Sequence, residues 1–278
     1  MEWNWLMSLI YGAIGGFFEF LPVPPNAQQQ LMMRLTGITE DVSALTLPVH
    51  IGCLLAVFFL YYSRLAKIRR EKRIAAIPPR RRKRQPDVVS LMEAKLLRFG
   101  AIPLIIAAIV TQVLTGYFKR IWVLAILVCL NGIIILVPQY MSGSNKDARG
   151  LSPLDALLIG LSGMLGVIPG LSRVAAMIAC AKMRGADQQF AIDYTFLLLI
   201  PVLVAACLVD VVFLVLGGAS LFSGWMLLHG FLAMLSASAC AFAGITLMRF
   251  LAVKVGFSSF AYYSFGLGMF TFILYLIG

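Results

Sequence analysis

Apolar residues in this chain run in long unbroken stretches, not in the short alternating segments of a β-barrel. Six stretches, about 43–62, 98–117, 121–140, 190–216, 224–249 and 258–277, approach the roughly 20 residues that carry a helix across about 30 Å of hydrocarbon. Two further segments, about 3–37 and 153–184, behave differently: each is a pair of shorter apolar arms joined by a proline-broken stretch. The first break reads Phe18-Glu19-Phe20-Leu21-Pro22-Val23-Pro24-Pro25-Asn26-Ala27-Gln28, the second Val167-Ile168-Pro169-Gly170-Leu171-Ser172-Arg173-Val174. Arms of this length do not span comfortably. Non-helical backbone at membrane depth survives only when buried in protein or lining a wet cavity. Both segments are therefore predicted to be re-entrant helical hairpins around a cavity.

The expected fold class is an all-α polytopic membrane protein, a single membrane domain over residues 1–278 with six transmembrane helices and the two hairpins. Composition supports this class, with 61% hydrophobic residues, 13% charged residues and a mean hydropathy of +0.92. Cys53, Cys129, Cys180, Cys207 and Cys240 all lie inside apolar runs without metal-ligand spacing and read as small core residues. The start, Met-Glu-Trp-Asn-Trp, has no basic region, so a cleaved signal peptide is not expected.

Charge adds a topology. Of a net +11, eleven basic residues fall between 64 and 84, against the single acid Glu71. Between two spans this marks the 63–97 loop as cytoplasmic, where its charge either binds anionic lipid or simply fixes topology, and not as a nucleic-acid site. Six crossings and two re-entrant excursions then put Lys146, Arg149, Lys182, Arg184, Arg249 and Lys254 inside and the uncharged 217–223 loop outside. Only Arg34 and the pair Lys119 and Arg120 run against the rule. The first hairpin opens outward and the second inward, so their tips are expected to meet as an inverted repeat around a central site.

Each tip carries an ionisable residue, and a charge at membrane depth costs about 2.5–3.5 kcal/mol or more. Arg173 stands where a helix should begin behind the N-cap Ser172, so backbone N–H groups, helix dipole and guanidinium all favour a phosphate or carboxylate. Glu19 either pairs with Arg173 as a structural lock or helps to hold a divalent cation. Asn26 and Gln28–Gln30 can donate hydrogen bonds to a phosphate, but none is a nucleophile. His50 and His229 read as satisfied core histidines, and Asp193 and Asp210 as helix-end or interfacial residues. Trp3, Trp5, Trp122, Trp225, Tyr61 and Tyr62 read as an interfacial belt.

At these tips the chain resembles the undecaprenyl-pyrophosphate phosphatase family. The family's first motif, E-G-x-x-E-F-L-P-V-S-S-T-G-H, aligns with Gly15-Gly16-Phe17-Phe18-Glu19-Phe20-Leu21-Pro22-Val23-Pro24-Pro25-Asn26-Ala27-Gln28. Its P-G-x-S-R-S-G aligns with Pro169-Gly170-Leu171-Ser172-Arg173-Val174-Ala175, and its F-S-F-L-L-x-x-P with Tyr194 to Pro201. The resemblance covers essentially the whole chain. It implies a bacterial plasma-membrane enzyme that removes phosphate from the polyprenyl pyrophosphate carrier of cell-wall synthesis, with Mg²⁺ or Ca²⁺ as the implied cofactor. The implied catalytic residues are Glu19, Ser172 and Arg173, with Glu19 at the metal. Arg173, Ser172, Gly170, Asn26 and Gln28 are the implied substrate-binding residues.

Where the family has its first glutamate, its serine pair and its histidine, this chain has Gly15, Pro24-Pro25 and Gln28. Proline has no hydroxyl, and glutamine takes no proton near neutral pH. Three readings follow: a phosphatase that has replaced the lost groups, a non-hydrolytic polyprenyl-phosphate binder or flippase, and a partner of cell-envelope enzymes. Expected partners are the polyprenyl lipid, surrounding membrane lipids and a second copy of the chain in a homodimer, with no nucleic acid.

Overall fold

A computed structural model describes residues 3–38, 42–114, 120–141, 145–217 and 223–277. Lys119 and most of the 217–223 loop lie outside the described residues. The described chain forms ten α-helices: α1 (Trp5–Glu19), α2 (Pro25–Thr36), α3 (Thr46–Ala76), α4 (Val88–Leu114), α5 (Ile121–Leu136), α6 (Pro153–Gly163), α7 (Arg173–Met183), α8 (Gln188–Leu216), α9 (Gly224–Lys254) and α10 (Phe260–Ile277). Six helical segments, Ser43–Ala76, Val88–Thr111, Ile121–Tyr140, Gln188–Leu216, Gly224–Lys254 and Phe257–Ile277, are long and apolar enough to cross a membrane.

The remaining helices are short. At 1.5 Å per residue, the 15 residues of α1 reach about 22 Å and the 11 of α6 or α7 about 16 Å. Their ends are set locally. Pro25 cannot continue a helix from behind but suits a first helical position, and it forces Pro24 into extended backbone (φ −71°, ψ 115°). Ser152 and Asp155 form a reciprocal capping box at the start of α6. Ser172 caps α7 by accepting the Ala175 N–H.

The stretch read as a 63–97 loop is helical except near 77–87, because α3 continues to Ala76 and α4 begins at Val88. Its Arg-, Lys-, Glu- and Ala-rich sequence favours helix once the membrane no longer excludes charge. Glu71 closes the hairpin by accepting from Arg84 (2.5 Å) and from the Asp87 N–H (3.0 Å). The Lys67 ammonium and the Ser90 hydroxyl hold the Asp87 carboxyl down to about 2.

α1 lies along α9, α5 along α10, and α3 against α8 and α9, while α4 packs on α6 and α8. α7 touches α5, α6 and α8, and its residues Val174 to Ala179 are all buried. The α1–α9 seam is close backbone contact: a Cβ at Gly12 or Gly16 would collide with the carbonyl of Ala233 or Ala237. Small residues four apart are how helices approach in lipid, where apolar burial alone drives little association.

Two side chains depart from the interfacial belt. Trp3 is buried with its indole N–H on Ser8 Oγ (2.8 Å), and Tyr61 is buried with its hydroxyl on Asp193 (2.5 Å). Asp193 also accepts from Arg64 (2.8 Å) and faces Arg249 (3.5 Å), while Arg64 pairs with Glu93 (2.7 Å). This polar cluster ties α3, α4, α8 and α9. His229 meets Ser8 (2.7 Å) and His50 meets Asp210 (2.7 Å), so both histidines are satisfied, His229 buried and His50 half-buried.

One residue ties the two broken segments together. Asn131 of α5 is fully buried, donating to Pro22 O (3.1 Å) and Ser264 Oγ (3.1 Å) and accepting the Ser172 N–H (2.8 Å). Ser172 Oγ adds a bond to Leu21 O (3.3 Å). Replacing Asn131 by leucine keeps the branched shape with somewhat more bulk but strands a carbonyl and an N–H, at about 1–3 kcal/mol each. Asn131→Leu is expected to lose roughly 2 kcal/mol or more in thermal unfolding in detergent. Gly16→Val should likewise destabilise by forcing α1 off α9, whereas Gly266→Ala, with open space around it, should not. A Gly16→Val protein as stable as the parent would show that the seam has slack.

Candidate functional site

Glu19 ends α1 and Arg173 begins α7, and the fold brings them face to face. Arg173 Nη1 lies 3.7 Å from Glu19 Oε1, with the side chains 15% and 12% exposed. That separation is an ion pair but too long for a hydrogen bond. Arg173 Nε and Nη1 are buried without a hydrogen-bond partner among the described residues. A buried donor left unmade costs about 1–3 kcal/mol, so the guanidinium stands ready for an acceptor the protein does not itself supply.

The helix ends sharpen the point. A carboxylate at the C-terminus of α1 and a cation at the N-terminus of α7 each face the dipole end of their own sign. In the first turn of α7, Ser172 takes the Ala175 N–H through Oγ (3.2 Å) and the Ala176 N–H through its carbonyl (3.1 Å). The Arg173 and Val174 N–H groups have no acceptor among the described residues, the condition under which a helix start binds anions.

The neighbouring residues shape this centre. Gly170 has φ +95°, and a Cβ there would sit 2.7 Å from Leu127 Cβ, so both conformation and space demand glycine. Gly166 lets the chain fold back on Arg173, since a Cβ there would lie 2.6 Å from Arg173 Cβ. The Ser172 hydroxyl is committed twice, as the cap of α7 and as the bridge to Leu21 O. Gln28 donates to Tyr263 Oη (3.1 Å), and Asn26 is half-buried at the start of α2.

Gly15 is informative for what stands near it. A side chain there would meet Gln29 Nε2 at 2.6 Å and Val49 Cγ1 at 2.7 Å. Gln29 itself donates to Tyr11 O (3.3 Å). The space a carboxylate at position 15 would need is thus filled by an amide, and Glu19 is the acid left on this tip.

A divalent cation fits this donor set in part. Glu19 is a hard oxygen donor, but no group of three or more His, Cys, Asp or Glu side chains is gathered among the described residues. Mg²⁺ held by one carboxylate takes its other ligands from substrate phosphate and water, so Glu19 would hold it only beside a bound phosphate group.

Sequence reasoning missed Asn131, Ser264 and Tyr263. Asn131 carried a signal, a lone amide within the apolar run Leu124–Leu136, where a polar side chain needs a reason. Tyr263 carried none, because an aromatic near a span end is ordinary.

A relative from Roseobacter denitrificans, named undecaprenyl-diphosphatase, is 30% identical over 269 residues, covering 94% of this chain and 95% of its own length. Proteins of the same name from Alkaliphilus metalliredigens and Carboxydothermus hydrogenoformans are each 26% identical, over 276 and 285 residues. The first covers 94% of this chain and 95% of the relative, the second 99% of both. The family model described as bacitracin resistance protein BacA matches residues 8–270, nearly the whole chain, and the chain belongs to the BacA family.

Proposed function

We propose that this protein is a polyprenyl-pyrophosphate phosphatase that converts the undecaprenyl pyrophosphate carrier of cell-wall synthesis to its monophosphate at the Glu19–Arg173 site. The observation that carries the reading is the buried Arg173 guanidinium at the start of α7, two of whose nitrogens have no hydrogen-bond partner among the described residues. A planar fork of donors beside free backbone N–H groups matches the oxygens of a diphosphate.

Pro24, Pro25 and Gln28 supply neither hydroxyl nor base, so the attacking group in this reading is water. Glu19 takes the water proton as the oxygen bonds to the terminal phosphorus. The bridging P–O bond breaks, and polyprenyl monophosphate leaves with the electron pair while inorganic phosphate remains. Arg173 and the α7 N–H groups hold the charge that builds on the phosphoryl oxygens. Ser172 acts in this scheme as a positioning residue that fixes Arg173 through the cap and the Leu21 bridge. A divalent cation beside Glu19, when bound, supplies charge neutralisation.

In the membrane we place α1–α2 and α6–α7 as opposed re-entrant hairpins of an inverted repeat, with their tips near mid-depth. The shortness of all four helices and the contact between Glu19 and Arg173 support this. The basic α3–α4 hairpin would face the cytoplasm, in a bacterial inner membrane.

The test is phosphate release from undecaprenyl pyrophosphate by purified protein in detergent, with Mg²⁺ or Ca²⁺ present. Arg173→Ala is expected to lose about 100-fold or more in kcat/KM, the scale on which single charge-stabilising groups act. Arg173→Lys should recover only part, since a point charge cannot reproduce the fork. A folded protein that binds the lipid through Arg173 but releases no phosphate would overturn hydrolysis in favour of a carrier that binds without turnover.

A further inference from the structure

A pyrophosphate clamp deals with only one end of an amphipathic lipid. The hydrocarbon chain must leave the clamp through apolar surface. A groove of about 320 Å³ runs beneath the first tip, walled by Phe17, Phe18, Leu21, Leu251, Phe260 and Tyr263 among others. This lies at the low end of ligand-pocket sizes, about 300–1,000 Å³. We propose that this groove holds the first isoprene units of the polyprenyl chain, next to the headgroup site. The assignment rests on the function proposed above.

Continuity carries it. Phe18 and Leu21 stand on either side of Glu19 in the chain, so the groove wall and the acid of the site share one stretch of backbone. Leu21 also accepts the Ser172 hydroxyl through its carbonyl (3.3 Å), which fixes that wall to the residue preceding Arg173. At the other wall the Tyr263 ring stacks on Phe18 with centroids 6.2 Å apart, and Tyr263 Oη accepts from Gln28. The groove is thus tied to both tips and to the start of α2. Its walling residues from Phe17, Phe18, Leu251 and Phe260 are half-buried, leaving the groove open along its side to a chain lying in the bilayer.

A larger groove, about 620 Å³, lies between α3 and α9 and is walled by Leu55, Phe58, Phe59 and Tyr62 among others. It shares no residue with either tip. Size therefore does not choose between the two, and adjacency to the charged centre does.

The test compares dimethylallyl (C5) with farnesyl (C15) pyrophosphate, read by competition binding in detergent, which reports whether or not turnover occurs. The wild-type protein is expected to prefer the longer chain. Leu251→Trp, which fills the groove, should weaken C15 binding about tenfold (~1.4 kcal/mol) and weaken C5 binding, which places only one isoprene unit there, by clearly less. Phe59→Ala, in the other groove, should change neither. An intact C15 preference in Leu251→Trp overturns the groove assignment while leaving the phosphatase reading standing, and it does so even if co-purified phospholipid is displaced. Because a tryptophan can disturb folding, Ser259→Trp fills the same groove from another wall. Equal loss of C5 and C15 in both variants also overturns the assignment. A wild-type protein that binds neither pyrophosphate overturns the proposed function and takes the groove assignment with it.

Discussion

A helix that stops inside a membrane leaves backbone N–H and C=O groups with no water to turn to, and this structure depends on how those groups are satisfied. The first break presents the carbonyls of Leu21 and Pro22, the second the N–H of Ser172. Asn131 and the Ser172 hydroxyl answer all three, through bonds of 2.8 to 3.3 Å. Because the same few bonds join the two breaks to each other, satisfying the backbone also fixes the distance between Glu19 and Arg173. Local necessity and site geometry are one arrangement here.

The charges are then held where their helices do not want them. Each opposes the dipole of its own helix, and two buried guanidinium nitrogens have no hydrogen-bond partner among the described residues. Such a pair contributes little to stability, since desolvation offsets much of the attraction between buried charges. In the proposed function its value is chemical. An anion entering between Arg173 and the start of α7 gains donors that were already aimed and already stripped of water, so little reorganisation accompanies binding.

The same economy explains what this chain can do without. Pro24 and Pro25 remove the hydroxyls that the family motif carries at these positions, yet they start α2 well, because proline suits a first helical turn. Gln29 occupies the space beside Gly15, and Gln28 is turned to Tyr263. The first tip is filled by packing and hydrogen bonding, while the second carries Gly170, Ser172 and Arg173 with open hydrogen-bond donors among the described residues. Water is the attacking group in the proposed function because neither proline nor Gln28 supplies one.

The sequence alone determined the all-helical membrane class, the six spans and the two proline-broken segments, because hydrophobic run length and proline are local properties. It also singled out Glu19 and Arg173, since ionisable residues are expensive in apolar surroundings wherever the fold puts them. The helical continuation of α3 to Ala76 is not legible in this way, because a dense charge run between spans looks like loop although its residues favour helix. Partnership was decided only by tertiary structure. The burial of Tyr61 against Asp193, the filling of the space beside Gly15 by Gln29, the pairing of His50 with Asp210 and the three hydrogen bonds of Asn131 all join residues distant in the chain. Such contacts depend on which helix faces pack together. A one-dimensional pattern states that a polar group in a membrane needs a partner, and only the packed helices decide which partner it finds.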